Sequence, residues 1–138
     1  MKKLAIYLLL ALGLSACSTP ADHFDRVWGL NTKVSANTLK AFNSNDPDAF
    51  KQLLADIDKV VAEFNSFDAY NDEDSVYVYA KANAEFTSRF LHEHQAAILR
   101  HESGIGARYI DSTTLINERL KAAAMAFMKE YDLNVEFQ

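Results

Sequence analysis

The sequence predicts an all-α domain, an antiparallel bundle of four helices. Three observations carry that prediction. Apolar residues recur at three- and four-residue spacing in four separate stretches. The stretches are joined by short segments of Asn, Asp, Ser and Gly, which favour turns. The only two prolines of the 138 residues, Pro20 and Pro47, both stand where a helix would start. No 34-residue helix-pair repeat is present, so a repeat array is not expected.

The first helical stretch runs from about Ala21 to Ser44. Phe24, Val27, Trp28, Val34, Leu39 and Phe42 fall on one stripe, Leu30 falls off it, and Asn31, Ser35 and Thr38 interrupt it. The interruption has two readings. It is either a core helix with a few polar contacts at the rim of a bundle, which is the favoured reading, or a polar-aromatic wall of a groove for a partner. Asn43 to Pro47 then reads as a turn, with Asp46 as N-cap and Pro47 at the first helical position. The second helix has the cleanest period, with Phe50, Leu53, Leu54, Ile57, Val60, Val61 and Phe64 on one face. Asp56, Asp58, Lys59 and Glu63 lie on the other.

Asp68 to Asp74 is an acidic connection. Its third residue is Tyr70 and it lacks the glycine that a calcium loop needs at the sixth position, so a solvated loop is expected there. Val76-Tyr77-Val78-Tyr79 has strand-like residues, but the helical period that follows favours one helix from about Ser75 to Glu102. Its stripe is Tyr79, Ala82, Asn83, Phe86, Phe90, His94, Ala97 and His101, widened by Leu91 and Ile98. Gly104 reads as its C-terminal cap. The fourth helix starts between Ala107 and Thr113, capped by Asp111 or Ser112. Its expected buried face is Ile116, Leu120, Ala123, Phe127 and Tyr131, with the alanines at 122–124 and 126 allowing close approach. Residues 132–138 are a short tail.

Ahead of the helices stands a leader. Met1-Lys2-Lys3 is basic, Leu4 to Gly13 is apolar apart from the Tyr7 hydroxyl, and small residues precede the only cysteine, Cys17. The apolar run is too short for the roughly 20 residues of a membrane-spanning helix. Leu14-Ser15-Ala16-Cys17 resembles the lipobox of bacterial lipoproteins, a resemblance confined to residues 1–17. It implies cleavage between Ala16 and Cys17 and acylation of Cys17, with two or more chains giving stable anchoring. The resulting organisation is residues 1–16 as signal peptide, 17–22 as lipidated N-terminus and tether, and 23–131 as helical domain. The five residues from Ser18 to Asp22 would reach at most ~17 Å. In Gram-negative lipoproteins a residue other than Asp after the cysteine favours the outer membrane. Ser18 therefore implies its inner leaflet, facing the periplasm, if the host is Gram-negative.

The formal charge is −5, and loss of Lys2 and Lys3 takes it to −7. An acidic chain without a basic cluster excludes nucleic acid as an expected partner. A single acylated cysteine leaves no intrachain disulfide. Histidine spacing argues against metal: His94 and His101 lie about 10.5 Å apart along a helix, and neither H-E-x-x-H nor E-x-x-H occurs. A haem held by His94 or His101 with Met125 or Met128 is a minor alternative. No nucleophile motif is present, so no enzymatic activity, no catalytic residue and no cofactor are expected. What remains is an envelope lipoprotein that binds another protein. In lipobox, size and helical content the chain is similar to the pilotins, which escort secretin subunits, although some helical pilotins carry a disulfide that this chain cannot form. The alternative is an immunity or inhibitor lipoprotein whose acidic surface steers a basic toxin or hydrolase. The sequence singles out no partner-binding residue.

Overall fold

The computed structural model describes residues 18–134. The leader, Cys17 and the last four residues of the tail lie outside that range. Among the described residues five helices follow one another: α1 (Pro20–Phe42), α2 (Pro47–Phe64), α3 (Ser75–Glu93), α4 (Gln95–Leu99) and α5 (Ile105–Glu130). The four long ones form an up-and-down, bundle-like arrangement in which α3 packs against α1, α2 and α5, and α1 packs against α2. No strand occurs among the described residues, and the segment 76–79 is helical. None of the described helices is long and apolar enough to cross a membrane.

Each helix start has a local cause. Thr19 caps α1 through a capping box with Asp22, and Pro20 takes the first helical position. The helix therefore takes in residues 20–22, expected in the tether, and only Ser18 and Thr19 stand between Cys17 and its first turn. Asp46 caps α2 by accepting from the Asp48 amide, as the Asp-Pro pair predicts. Asp74 caps α3 by accepting from the Tyr77 amide.

The long third helix breaks at His94, where φ −117° and ψ 21° leave the helical region. The five residues after the break bring Ile98 into the core. α4 then ends in a Schellman turn. His101 takes a left-handed φ of 49°, the Glu102 amide donates to the Ala97 carbonyl and the His101 amide to that of Ile98. Gly104, with φ 85°, does not cap that helix; it sets the N-terminus of α5. That helix consequently begins at Ile105, ahead of Asp111 and Ser112.

The core consists of two apolar clusters. One gathers Phe24, Val27, Phe64, Val76, Tyr77 and Phe127 at the end where α1 begins. The other gathers Ala41, Phe50, Leu54, Phe90, Ile98 and Ile105 at the opposite end. Between them, in register on α1, α3 and α5, lie the buried polar residues Thr38, Asn83, Thr87 and Thr113. Thr38 and Thr113 donate to carbonyls of their own helices, and Thr87 pairs with the Tyr109 hydroxyl at 2.8 Å. The polar interruption of the α1 stripe is one side of this belt.

Three assignments of buried faces change. On α3, Val76, Tyr77, Ala80, Ala84 and Thr87 are buried, Tyr79, Ala82 and Phe86 are half-buried, and His101, beyond the break, is exposed. On α1, Leu30 is buried and Leu39 is 65% exposed. α1 packs on both α2 and α3, and this rotates its buried arc toward Leu30. On α5, Thr113, Leu120, Ala124 and Phe127 are buried, whereas Ile116, Ala123 and Tyr131 are half-buried. Of the alanine run, Ala124 makes the full approach to the core, while Ala122 and Ala126 are exposed.

Candidate functional site: a groove between α1 and α5

At one end of the bundle α1 and α5 touch, with Phe24 stacked on Phe127 at 5.8 Å between ring centroids. Toward the other end they part and leave a groove floored by α3. Its larger cavity, about 360 Å³, is walled by Ser35, Leu39 and Phe42 from α1 and by Gly106, Tyr109, Ile110 and Asn117 from α5, with Thr38 and Asn83 beneath. A second cavity of about 270 Å³ shares Asn117 and continues past Trp28, Asn31, Leu120 and Lys121. From Trp28 to Phe42 the trough spans about 21 Å of helix at 1.5 Å per residue.

The groove combines apolar walls with an amide floor. Leu39 and Ile110, at 65% and 63% exposure, are among the large apolar side chains the fold leaves uncovered. Phe42 and Tyr109 rings lie 5.3 Å apart at 45°. Burial pushes the Tyr109 hydroxyl above its ordinary value of 10.0, against hydrogen bonds with Thr87 and Thr38 that pull it down. The ring is therefore neutral at physiological pH. Asn83 is 3% exposed, and its amide Nδ2 donates to Asn31 Oδ1 at 3.3 Å. Its own Oδ1 is the one buried side-chain polar atom among the described residues that has no hydrogen-bond partner. Buried oxygens of this kind are rare, because each forgoes hydration without compensation.

A larger cavity of about 530 Å³ opens beside Ser18, lined by Asp22, His23, Arg26, Phe67 and Tyr70 among others. Three of its polar side chains, Asp22, Arg26 and His23, are already engaged. Asp22 belongs to the α1 cap, Arg26 lies over the Phe67 ring at 3.9 Å and reaches Glu63 at 3.7 Å, and His23 pairs with Asp74. Both the His23 and Asp74 side chains are buried, with Nε2 to Oδ2 at 2.6 Å. Asp74 also accepts from the Tyr70 amide at 2.8 Å and the Tyr77 amide at 3.1 Å. Burial raises the Asp74 carboxyl, but the His23 hydrogen bond, the two amides and the His23 charge outweigh it and hold the group below 3.8. Asp74 is thus no loop carboxylate in solvent. It is a fully used internal acceptor.

No family model, no curated protein and no solved structure matches this chain.

The remaining sequence-selected residues do not converge. His94 lies 4.4 Å from the Phe90 ring, in the neighbourhood of the second cluster, whereas Met128 packs against the first. Met125 is 57% exposed on α5. A haem bridging His94 or His101 to either methionine would have to span the bundle. No group of three or more metal-binding side chains forms among the described residues. Asp58 does bring Ser88 and His92 together, accepting Ser88 Oγ at 2.6 Å and meeting His92 Nε2 at 2.9 Å. The carboxylate stands in the middle there, whereas an activated serine needs the imidazole in that place.

The sequence reading has no place for His23, and it holds the groove wall on α1 only as the second reading of the interrupted stripe. His23 stands four residues before Val27 and seven before Leu30, which is the spacing of the buried stripe. That spacing was the available signal. Its partner Asp74, 51 residues away, carried none.

Proposed function

We propose that this protein is a lipid-anchored, periplasm-facing envelope protein that binds another protein, to localise or assemble it, without enzymatic activity of its own. The observation that carries the reading is the sole cysteine, Cys17, at the end of a basic-then-apolar leader and three residues ahead of the first helix at Pro20. Acylation there ties the bundle directly to the bilayer, with Ser18 and Thr19 as the entire tether, so the partner must come to the membrane surface. In a Gram-negative host that surface is the inner leaflet of the outer membrane. The groove between α1 and α5 supports recognition, since it offers the uncovered apolar side chains Leu39 and Ile110.

A second reading, an immunity or inhibitor lipoprotein, is favoured by the net negative charge, which would steer a basic partner. Cys17→Ser tests the first reading: the variant should leave the membrane fraction and lose the phenotype of the wild type. Unchanged localisation and phenotype would remove the anchor and the reading with it. Full biological protection by the soluble variant would instead favour the inhibitor.

A further inference from the structure

We propose that the cavity beside Ser18 holds the phosphoethanolamine headgroup of a bilayer lipid. The proposal rests on the acylation of Cys17 in the reading above, and it adds how the anchored bundle meets the membrane.

Location comes first. Ser18 lines the cavity and directly follows Cys17, so acyl chains on that cysteine bring the opening to the headgroup layer. The volume, about 530 Å³, falls within the roughly 300–1,000 Å³ of small-ligand pockets.

Charges of both signs line it. The Arg26 pair with Glu63, 3.7 Å long and open to solvent, is weak enough to be exchanged for a phosphate. Asp68, in the loop between α2 and α3, is exposed and forms no ion pair among the described residues. With Asp22 it offers carboxylates to an ammonium. Deeper in lies His23, 7% exposed. Its Nε2 is committed to Asp74, but Nδ1 makes no hydrogen bond among the described residues. Nor is Nδ1 enclosed, since Asn83 Oδ1 is the one enclosed unpaired side-chain atom there. An imidazole nitrogen donates to a phosphate oxygen or accepts from an ammonium, according to its protonation. A zwitterion with both groups a few bonds apart answers Arg26, Asp68 and His23 together.

The same residues select among headgroups. Phosphoglycerol is anionic and brings no cation to Asp22 and Asp68. Phosphocholine has no N–H to donate, and a quaternary ammonium needs an open aromatic face. That face of Phe67 is covered by the Arg26 guanidinium at 3.9 Å. A headgroup seated here holds the start of α1 at the bilayer, while Leu39 of the groove lies about 28 Å further along that helix.

The test titrates glycerophosphoethanolamine, glycerophosphoglycerol, glycerophosphocholine and N-acetyl-lysinamide into the purified acylated protein in a neutral detergent, following the His23 ring resonances. Glycerophosphoethanolamine should saturate them and bind at least about tenfold tighter than the other three, the strength of one charge-assisted hydrogen bond. Asp68→Asn should abolish that preference, and Arg26→Gln should weaken glycerophosphoethanolamine at least about fivefold. Both positions are exposed, so both variants should keep the unfolding midpoint of the wild type. In vesicles, replacing phosphatidylcholine by phosphatidylethanolamine should move the same resonances in the same direction. Equal binding of the four probes, or no saturation at His23, would overturn the proposal. Tighter binding of N-acetyl-lysinamide would make the cavity a site for a protein's lysine and overturn it too. Saturation by the soluble headgroup without a response to phosphatidylethanolamine vesicles would make it a site for free phosphoamines, with the same result. Rejection of every probe leaves the protein-binding reading standing, whereas an unchanged Cys17→Ser localisation removes that reading and the membrane location whatever the soluble probes do.

Discussion

Two buried polar side chains, Asp74 and Asn83, lie nine positions apart at the start and in the middle of α3, and they are treated in opposite ways. Asp74 accepts from His23 and from two backbone amides, and rings of Phe67, Tyr70, Tyr77 and Phe127 surround its histidine within 6.4 Å. Asn83 donates once, to Asn31, and its oxygen accepts nothing. A satisfied buried carboxylate fixes the ends of α1 and α3 and the loop between α2 and α3. A buried amide whose oxygen accepts nothing fixes little. The difference separates buried polar groups that hold the fold together from one that does not.

The largest way to break this contrast is Asp74→Ala. It removes the α3 cap and leaves His23 and the Tyr70 amide unpaired inside the protein, and it should cost about 3–5 kcal/mol in urea unfolding. Tyr77→Phe comes next. Its hydroxyl reaches both the Phe64 and Phe67 carbonyls at 2.6 Å, and its loss from that buried site should cost about 1–3 kcal/mol on the same measurement. Acid tests the same network without mutation. The folded Asp74 carboxyl lies below its ordinary 3.8, so the stability it contributes is complete above that value. It should drain away as pH falls from about 4 through the folded value, and Asp74→Asn should flatten that part of the stability profile. Gly106→Ala lies at the smallest end. An added Cβ there meets no atom within 4 Å, and alanine favours the first turn of α5, so stability should rise by about 0.5 kcal/mol while the mouth of the groove narrows.

How much of this was legible depended on whether the cause was local. α2 was readable in full, because its pattern is two-sided and Asp46-Pro47 marks its start: Phe50, Leu54, Ile57, Val60 and Phe64 are buried as the period demands. α1 was readable as a helix but not in its facing. Leu30 and Leu39 trade places because the helix answers to α2 and α3 together, a fact of packing that no period encodes. The break at His94 and the turn at His101 escaped because the apolar stripe runs on through Phe90 and Ile98 as though one helix carried it. The groove was half visible. Asn31, Ser35 and Thr38 announced a polar wall on α1, but the matching residues Gly106, Ile110 and Asn117 lie some seventy positions later on a helix whose start was misplaced.

The central claim is that the satisfied Asp74 network holds the fold and the orphaned Asn83 does not, and equilibrium urea unfolding of Asn83→Leu tests it most directly. Leucine has nearly the shape of asparagine, removes the orphaned oxygen and leaves half-buried Asn31 within reach of solvent. The account predicts a midpoint equal to or above that of the wild type, with an unchanged slope. A loss of about 2 kcal/mol or more would show that the amide is holding the bundle together, and would contradict it.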